Sequence, residues 1–266
     1  MHPARARHHP AFRAGSFLRY DCSPHTGDLQ GSYRTEWSVG RYQQHLIKSA
    51  LRGLAAAALI VLPYAAAPPA HAAQSVPLAA AVERLTVGTE SREGYQRTSF
   101  KHWNAGRNPS DGCSTRSEVL ISEAVDAPEI GPACRLTGGR WWSYYDATWV
   151  TSASGLDIDH MVPLAEAWDS GASAWTAQRR EAYANDQGAE TSLVAVTGRS
   201  NRSKSDKDPA DWMPPAPDAA VRCTYAAQWV GTKLRWNLTV DDGELAALRD
   251  VAGGCPLESV AYEPAG

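Results

Sequence analysis

Within seven residues, Asp157-Ile158-Asp159-His160-Met161-Val162-Pro163, the chain sets two carboxylates and an imidazole among apolar neighbours and closes the run with a proline. From Leu156 onward, polar and apolar residues alternate as in a half-buried β-strand, whose successive side chains point to opposite faces. Alternation puts Asp157 and Asp159 on one face and His160 on the other. Asp159 and His160 can therefore serve one site only where the strand ends or twists, and Pro163 supplies such an end. Further along, Thr191-Ser192-Leu193-Val194-Ala195-Val196 reads as a second short strand. Gly198 then opens Asn201-Arg202-Ser203-Lys204-Ser205-Asp206-Lys207, which reads as the start of a helix. Strand, loop, strand and helix are thus the order between residues 155 and 205.

That order can assemble a metal-assisted hydrolytic site. Asp159 is a hard-oxygen ligand, and Asn201 offers a second oxygen from the helix. A cation held by so few protein oxygens keeps several waters and room for a phosphate oxygen, which suits Mg²⁺, with Mn²⁺ or another divalent ion as a substitute. A neutral His160 can take a proton from an attacking water. Arg199, Arg202, Lys204 and Lys207 place positive charge beside the site for an anionic substrate, and Arg116 is the first candidate phosphate contact outside it. Each part has a plainer reading. A histidine at a strand end is usually packed, an Asn-x-x-Lys helix start is usually solvated, and Arg116 with Glu118 suits a surface or buried pair. The combination, with the strand between, is what carries the chemistry.

The leader and the cysteines fix the compartment. Leu54 to Ala67 is mostly apolar, follows Lys48 and Arg52, and precedes Ala70-His71-Ala72, the three parts of a secretory signal peptide. The run is shorter than the ~20 residues that cross a bilayer, so no membrane association is expected once it is cleaved. Residues 1–45 are rich in Arg and His without apolar periodicity and read as a start-site artefact or a discarded part of the leader. From about Ala73 onward the chain carries 18 Lys and Arg against 26 Asp and Glu. This acidity argues against a protein that grips nucleic acid through its net field, and less against an enzyme needing only local positive charge. Cys22 lies in the leader. Cys113, Cys134, Cys223 and Cys255 form an even set in an exported chain and imply two disulfides. Three pairings are possible, and proximity favours Cys113–Cys134 with Cys223–Cys255. Zinc is the rival, but no C-x-x-C pair supports it.

Around this core the chain reads as α+β. A helix is expected over Val76 to Val87 from the spacing of Leu78, Val82 and Leu85, then a glycine-punctuated loop over 94–112. Ser114 or Thr115 caps a helix to about Val125. Cys134 to Val150, with Trp141, Trp142, Tyr144, Tyr145 and Trp149 around Gly138-Gly139, reads as a β-hairpin whose aromatics serve packing or base stacking. Further helices are expected near 174–185, 218–230 and 241–251. The organisation is a leader over 1–72, a linker and N-terminal helix over 73–112, a domain over 113–255 with its motif core at 155–207, and a tail over 256–266.

Asp157 to Pro163 and Asn201 to Asp206 resemble the two halves of the HNH, or ββα-metal, nuclease motif, and are similar at both ends to the HNH domain of RNA-guided CRISPR nucleases. Leu164-Ala165-Glu166-Ala167-Trp168, Asn185-Asp186 and Asp208 to Pro215 extend the resemblance to secreted bacterial HNH proteins related to the C-terminal domain of the GmrSD restriction enzyme. The resemblance implies a ββα-metal core flanked by helices and a hairpin, with His160 activating water and Asp159 and Asn201 holding the metal. It also implies a nucleic-acid substrate, DNA ahead of RNA; the secreted protein is expected to be a monomer. The family's middle Asn or His, which pins the loop bearing the base, corresponds here to Ser192, a shorter side chain that can still bond to backbone. Asp157 would support the metal shell or orient Lys204. The alternatives are a secreted nucleic-acid-binding protein with a degenerate, non-cleaving scaffold, and a glycan-binding wall protein.

Overall fold

A computed structural model describes residues 74–266; the leader, its signal peptide and Cys22 lie outside the described residues. These form a mixed α/β unit of seven α-helices and small two-stranded sheets. In chain order they are β1 (Gln74–Pro77), α1 (Leu78–Val82), β2 (Thr86–Val87), α2 (Thr115–Ser122), β3 (Glu129–Gly131), β4 (Arg135–Thr137), β5 (Trp141–Ser143), β6 (Thr148–Val150), β7 (Leu156–His160) and α3 (Leu164–Asp169). There follow α4 (Ala177–Ala184), β8 (Leu193–Thr197), α5 (Gly198–Lys204), α6 (Ala219–Trp236), β9 (Thr239–Val240), α7 (Asp242–Gly253) and β10 (Ser259–Tyr262).

β7 and β8 pair antiparallel, from Leu156 opposite Thr197 to His160 opposite Leu193, with α3 and α4 inserted between them. Apolar side chains cover the pair on both faces. Leu156, Ile158, Leu193 and Ala195 pack with Val119, Leu120 and Trp141 on one side. Met161, Val194 and Val196 join the larger core with Tyr145, Tyr225 and Trp229 on the other. Burying this much apolar surface is what holds a two-stranded ribbon that would be marginal alone. Side chains take up backbone amides along the outer edge of β8: Ala195 N donates to Glu123 Oε2 at 2.8 Å and Thr197 N to Ser143 Oγ at 3.0 Å. A buried amide left without an acceptor would be costly, so these contacts replace a third strand.

α5 follows β8 without a loop because Thr197 ends the strand and caps the helix, its Oγ1 accepting from Ser200 N at 3.2 Å. Asp218 and Asp241 cap α6 and α7 in the same way. α6 stops at Asn237, which adopts φ 53°, a left-handed conformation that asparagine tolerates. The disulfides are Cys113–Cys134, at the start of α2, and Cys223–Cys255, joining α6 to the end of α7.

Three local expectations change. Val76 belongs to β1, opposite Val260 of β10, and the helix is confined to Leu78–Val82. Gly138-Gly139 joins two hairpins, β3 with β4 and β5 with β6, instead of turning one, and α6 runs beyond Val230 to Trp236. Tertiary burial decides all three, since Leu78, Trp141 and Trp236 are buried. Among the described residues no helix is long and apolar enough to cross a membrane.

Candidate functional site

Where β7 ends, a cavity of about 250 Å³ opens between the strand and α5, lined by Asp159, His160, Asn201, Arg202, Asp206 and Arg97 among others. Alternation sends Asp159 toward α5 and His160 the opposite way, as the sequence requires. Both reach the cavity because β7 ends at His160, Met161 N closing the strand pair onto Ser192 O at 3.0 Å, and the chain turns at Pro163 into α3.

His160 is 5% exposed. Its Nε2 lies 2.9 Å from the carbonyl oxygen of Ala184, at the end of α4. A carbonyl only accepts, so Nε2 carries the proton and Nδ1 the lone pair; this tautomer follows from the partner. Among the described residues the one fully buried side-chain polar atom without a partner is Tyr225 Oη. Among the same residues His160 Nδ1 makes no protein hydrogen bond, and His160 lines the cavity. Trp103 stacks on the imidazole with ring centroids 5.2 Å apart and planes 23° apart, and Tyr183 lies roughly parallel at 6.5 Å. Burial holds the imidazole down to about 3, with the Ala184 hydrogen bond opposing and the positive charges of Arg97 and Lys204 assisting. The ring is neutral at physiological pH, as a proton acceptor must be.

Asp159 is buried, and its Oδ2 accepts from Tyr145 Oη at 2.6 Å and from the Lys204 ammonium. Lys204 is fully buried and donates also to the carbonyls of His160 at 3.0 Å and Met161 at 2.7 Å. Burial raises the Asp159 carboxyl and lowers the Lys204 ammonium, and their mutual contact opposes both shifts. Asn201 Nδ2 donates to Asp157 Oδ2 at 3.3 Å, and Arg202 lies 3.6 Å from the same oxygen. Two acceptors on residues that line the cavity are left: among the described residues, Asp159 Oδ1 and Asn201 Oδ1 make no protein hydrogen bond. One carboxylate and one amide oxygen, with space for water, are a donor set that fits a hard divalent cation.

The remaining expected residues are dispersed. Lys204 does not reach substrate, because three acceptors use its ammonium beneath the site. Arg116 donates to the Leu156 carbonyl at 2.9 Å, at the far end of β7, and so fastens α2 to the strand instead of meeting phosphate here. Arg199 is exposed near Asp146, and Lys207 is exposed with its ammonium on the Ser203 carbonyl at 3.1 Å. Ser192 Oγ donates to the Asp186 carboxylate at 2.7 Å, not to backbone. Asp186 is also held by Arg235 at 2.7 and 3.0 Å and by Trp236 at 2.8 Å, which fixes the turn beside Ala184. Ser192 is thus tied, through Asp186, to the turn that follows the Ala184 carbonyl.

Sequence reasoning missed Arg97, Trp103, Tyr145 and the Ala184 carbonyl. Tyr145 stood in the aromatic hairpin, but nothing in the glycine-punctuated loop marked Arg97 or Trp103. A second acid group, Glu90, Glu166 and Asp169, brings carboxylate oxygens within 4.8 Å of one another. Its charges are met internally: Asp169 by Arg92 at 2.6 Å and Glu166 by Lys233 at 2.8 Å, while burial pushes Glu90 up to about 8 with Glu166 adding to the rise.

The model of the C-terminal domain of GmrSD restriction endonucleases matches residues 133–251, a span that contains Asp159, His160, Ser192 and Asn201. A protein of Arthroderma benhamiae named as an uncharacterized secreted protein is 37% identical over 187 residues, covering 68% of this chain and 88% of that protein. No solved structure matches the chain. The two disulfides fit an oxidising compartment, in keeping with that relative's name.

Proposed function

This chain belongs to the family of GmrSD restriction endonuclease C-terminal domains, and from that premise we propose that it is a secreted, metal-dependent, sequence-nonspecific endonuclease. In this reading β7, β8 and α5 are a ββα-metal core within a domain over 113–255, exported as a monomer by a leader over 1–72. The substrate is nucleic acid, DNA ahead of RNA. The observation that carries the proposal is the meeting of Asp159, His160 and Asn201 on one cavity, with His160 held so that Nδ1 is its basic nitrogen.

His160 Nδ1 accepts a proton from a water aimed at phosphorus, and the Ala184 carbonyl keeps the ring in place as it becomes cationic. Asp159 Oδ1 and Asn201 Oδ1 are the protein oxygens that would hold the cation, Mg²⁺ or a similar ion. Asp157 steadies the Asn201 amide, so that its oxygen faces the cavity. Bound there, a divalent ion would supply positive charge to offset the negative charge that builds on the phosphate and the leaving 3′-oxygen. Arg202 at the cavity and Arg199 and Lys207 farther along the surface bring local positive charge to an acidic protein.

The test is conversion of supercoiled plasmid with Mg²⁺, Mn²⁺ or EDTA, using wild type and His160→Ala. The expected outcome is metal-dependent nicking, abolished by EDTA and reduced roughly 10²–10⁴-fold in the variant, with the fold and Mn²⁺ binding kept. Undiminished nicking by a folded His160→Ala protein would contradict the mechanism. Intact plasmid under every condition would favour the non-cleaving binding protein.

A further inference from the structure

The family match begins at residue 133, yet one wall of the cavity comes from before it. Residues 95–103 form a strap fastened on both sides of Arg97. Tyr95 and Phe100 pack edge-on against Trp168, with ring centroids 6.0 and 6.4 Å away, and Phe100 also meets Tyr183 at 6.0 Å. Between them Arg97–Ser99 forms a 3₁₀ turn, closed by Ser99 N on Gln96 O at 2.8 Å and Phe100 N on Arg97 O at 3.1 Å. Arg180 Nε holds the Ser99 carbonyl at 3.2 Å. Past the turn, Trp103 lies flat on His160 and takes φ 60°, a left-handed conformation uncommon for a bulky residue, which its stacking sustains.

The strap therefore does two things. It screens one face of the imidazole, and it presents Arg97 from a fixed backbone. Arg97 is an exposed side chain beside Tyr95 and lines the cavity with Asp159, His160, Asn201 and Arg202. The acid on this rim, Asp206, has its own counter-charge in Arg92 at 3.6 Å. Two guanidiniums, one from the strap and one from α5, thus border the space where a phosphodiester would have to sit. Guanidinium matches phosphate in charge and in planar donor geometry.

We propose that Arg97 is a substrate-binding residue, taking a backbone phosphate oxygen of the nucleic acid with Arg202 as the other arm of the clamp. The proposal rests on the nuclease reading and adds a contact from outside the region that the family match covers. No base is read, so the contact is independent of sequence.

The test is anisotropy of a fluorescein-labelled oligonucleotide in EDTA, titrated across KCl concentrations with wild type, Arg97→Ala, Arg97→Lys and Arg135→Ala. Arg135 is an exposed arginine on β4, away from the cavity lining, and controls for loss of net charge. Arg97→Ala is expected to bind roughly 5–20-fold more weakly at low salt. Its log–log salt slope should be shallower by roughly 0.7–0.9, the signature of one lost phosphate contact. Arg97→Lys should keep most of the slope, Arg135→Ala should match wild type, and kcat/KM for cleavage should follow affinity. An Arg97→Ala slope equal to wild type, or an equal fall in Arg135→Ala, would overturn the clamp while leaving a cleaving wild type intact. A wild type that neither binds nor cuts would take down the nuclease reading and this proposal with it.

Discussion

Among the described residues two lysines are fully buried, and their surroundings differ in a way that separates site from scaffold. Lys233 on α6 meets two carboxylates, Glu166 and Glu244, the Ser170 hydroxyl and the Thr239 carbonyl, all at 2.8 Å. Lys204 on α5 meets one carboxylate, Asp159, and two backbone carbonyls, within 6 Å of the faces of Tyr145, Tyr225 and Trp229. Burial works against both charges. At Lys233 the pull of Glu244 and Glu166 outweighs it and raises the ammonium; at Lys204 the single Asp159 does not, and the ammonium is lowered. Around Lys233 the surplus falls on the acids: burial and neighbouring carboxylates push Glu244 up to about 7 and Glu90 to about 8, with Lys233 opposing. That cluster is closed on itself. Lys204 instead pins one oxygen of a carboxylate that lines the cavity and leaves its other oxygen without a protein partner among the described residues.

Breaking each network in turn tests the contrast. Lys233→Ala leaves Glu166 and Glu244 buried without their shared cation and is expected to cost about 3–5 kcal/mol by denaturant unfolding. Cleavage per folded molecule should hardly change. Lys204→Met is expected to destabilise by less, about 2–3 kcal/mol, since Asp159 can protonate or borrow water from the cavity. It should remove most cleavage, because Asp159 and the His160 carbonyl lose their anchor. A Lys204→Met protein that stays fully active would erase the distinction between the two lysines.

A smaller effect concerns a buried acid that has no lysine. Burial pushes Glu123 up to about 7, with the Ala195 amide opposing. Its folded value exceeds the ordinary one, so between about 4.5 and 7 the native state holds more protons than the unfolded chain. Glu123 thus contributes stability that is full at pH 4.5 and below and is lost as pH rises through 7. Glu123→Gln has no such group. The stability difference between wild type and variant should shift by about 2–3 kcal/mol between pH 5 and 8, against wild type at the higher pH. A pH-independent difference would show that Glu123 ionises normally.

Much of this site was legible because local rules and tertiary demands agree there. The alternation around Asp159, the stop at Pro163 and the helix start after Thr197 all specify what β7 and α5 adopt. Proximity sufficed for the disulfides. Lys204 misled because charge at a helix start is usually solvated; yet it lies three residues after Asn201, and that spacing puts both on the face turned to β7, while Arg199, Arg202 and Ser203 stay exposed. Arg97 and the β1–β10 pairing had no local signature. Each is defined by what the chain meets far away in sequence, an aromatic cluster in one case and a distant strand in the other.

The most direct test sets the two acidic regions against each other. Mn²⁺ binding by calorimetry and plasmid nicking would be followed in wild type, Asn201→Ala and Glu90→Gln, each with both disulfides formed. If the chemistry belongs to Asp159, His160 and Asn201, Asn201→Ala loses metal affinity and nicking together, and Glu90→Gln keeps both. Metal binding and cleavage that survive Asn201→Ala but vanish in Glu90→Gln would contradict it and move the metal to the cluster beside Lys233.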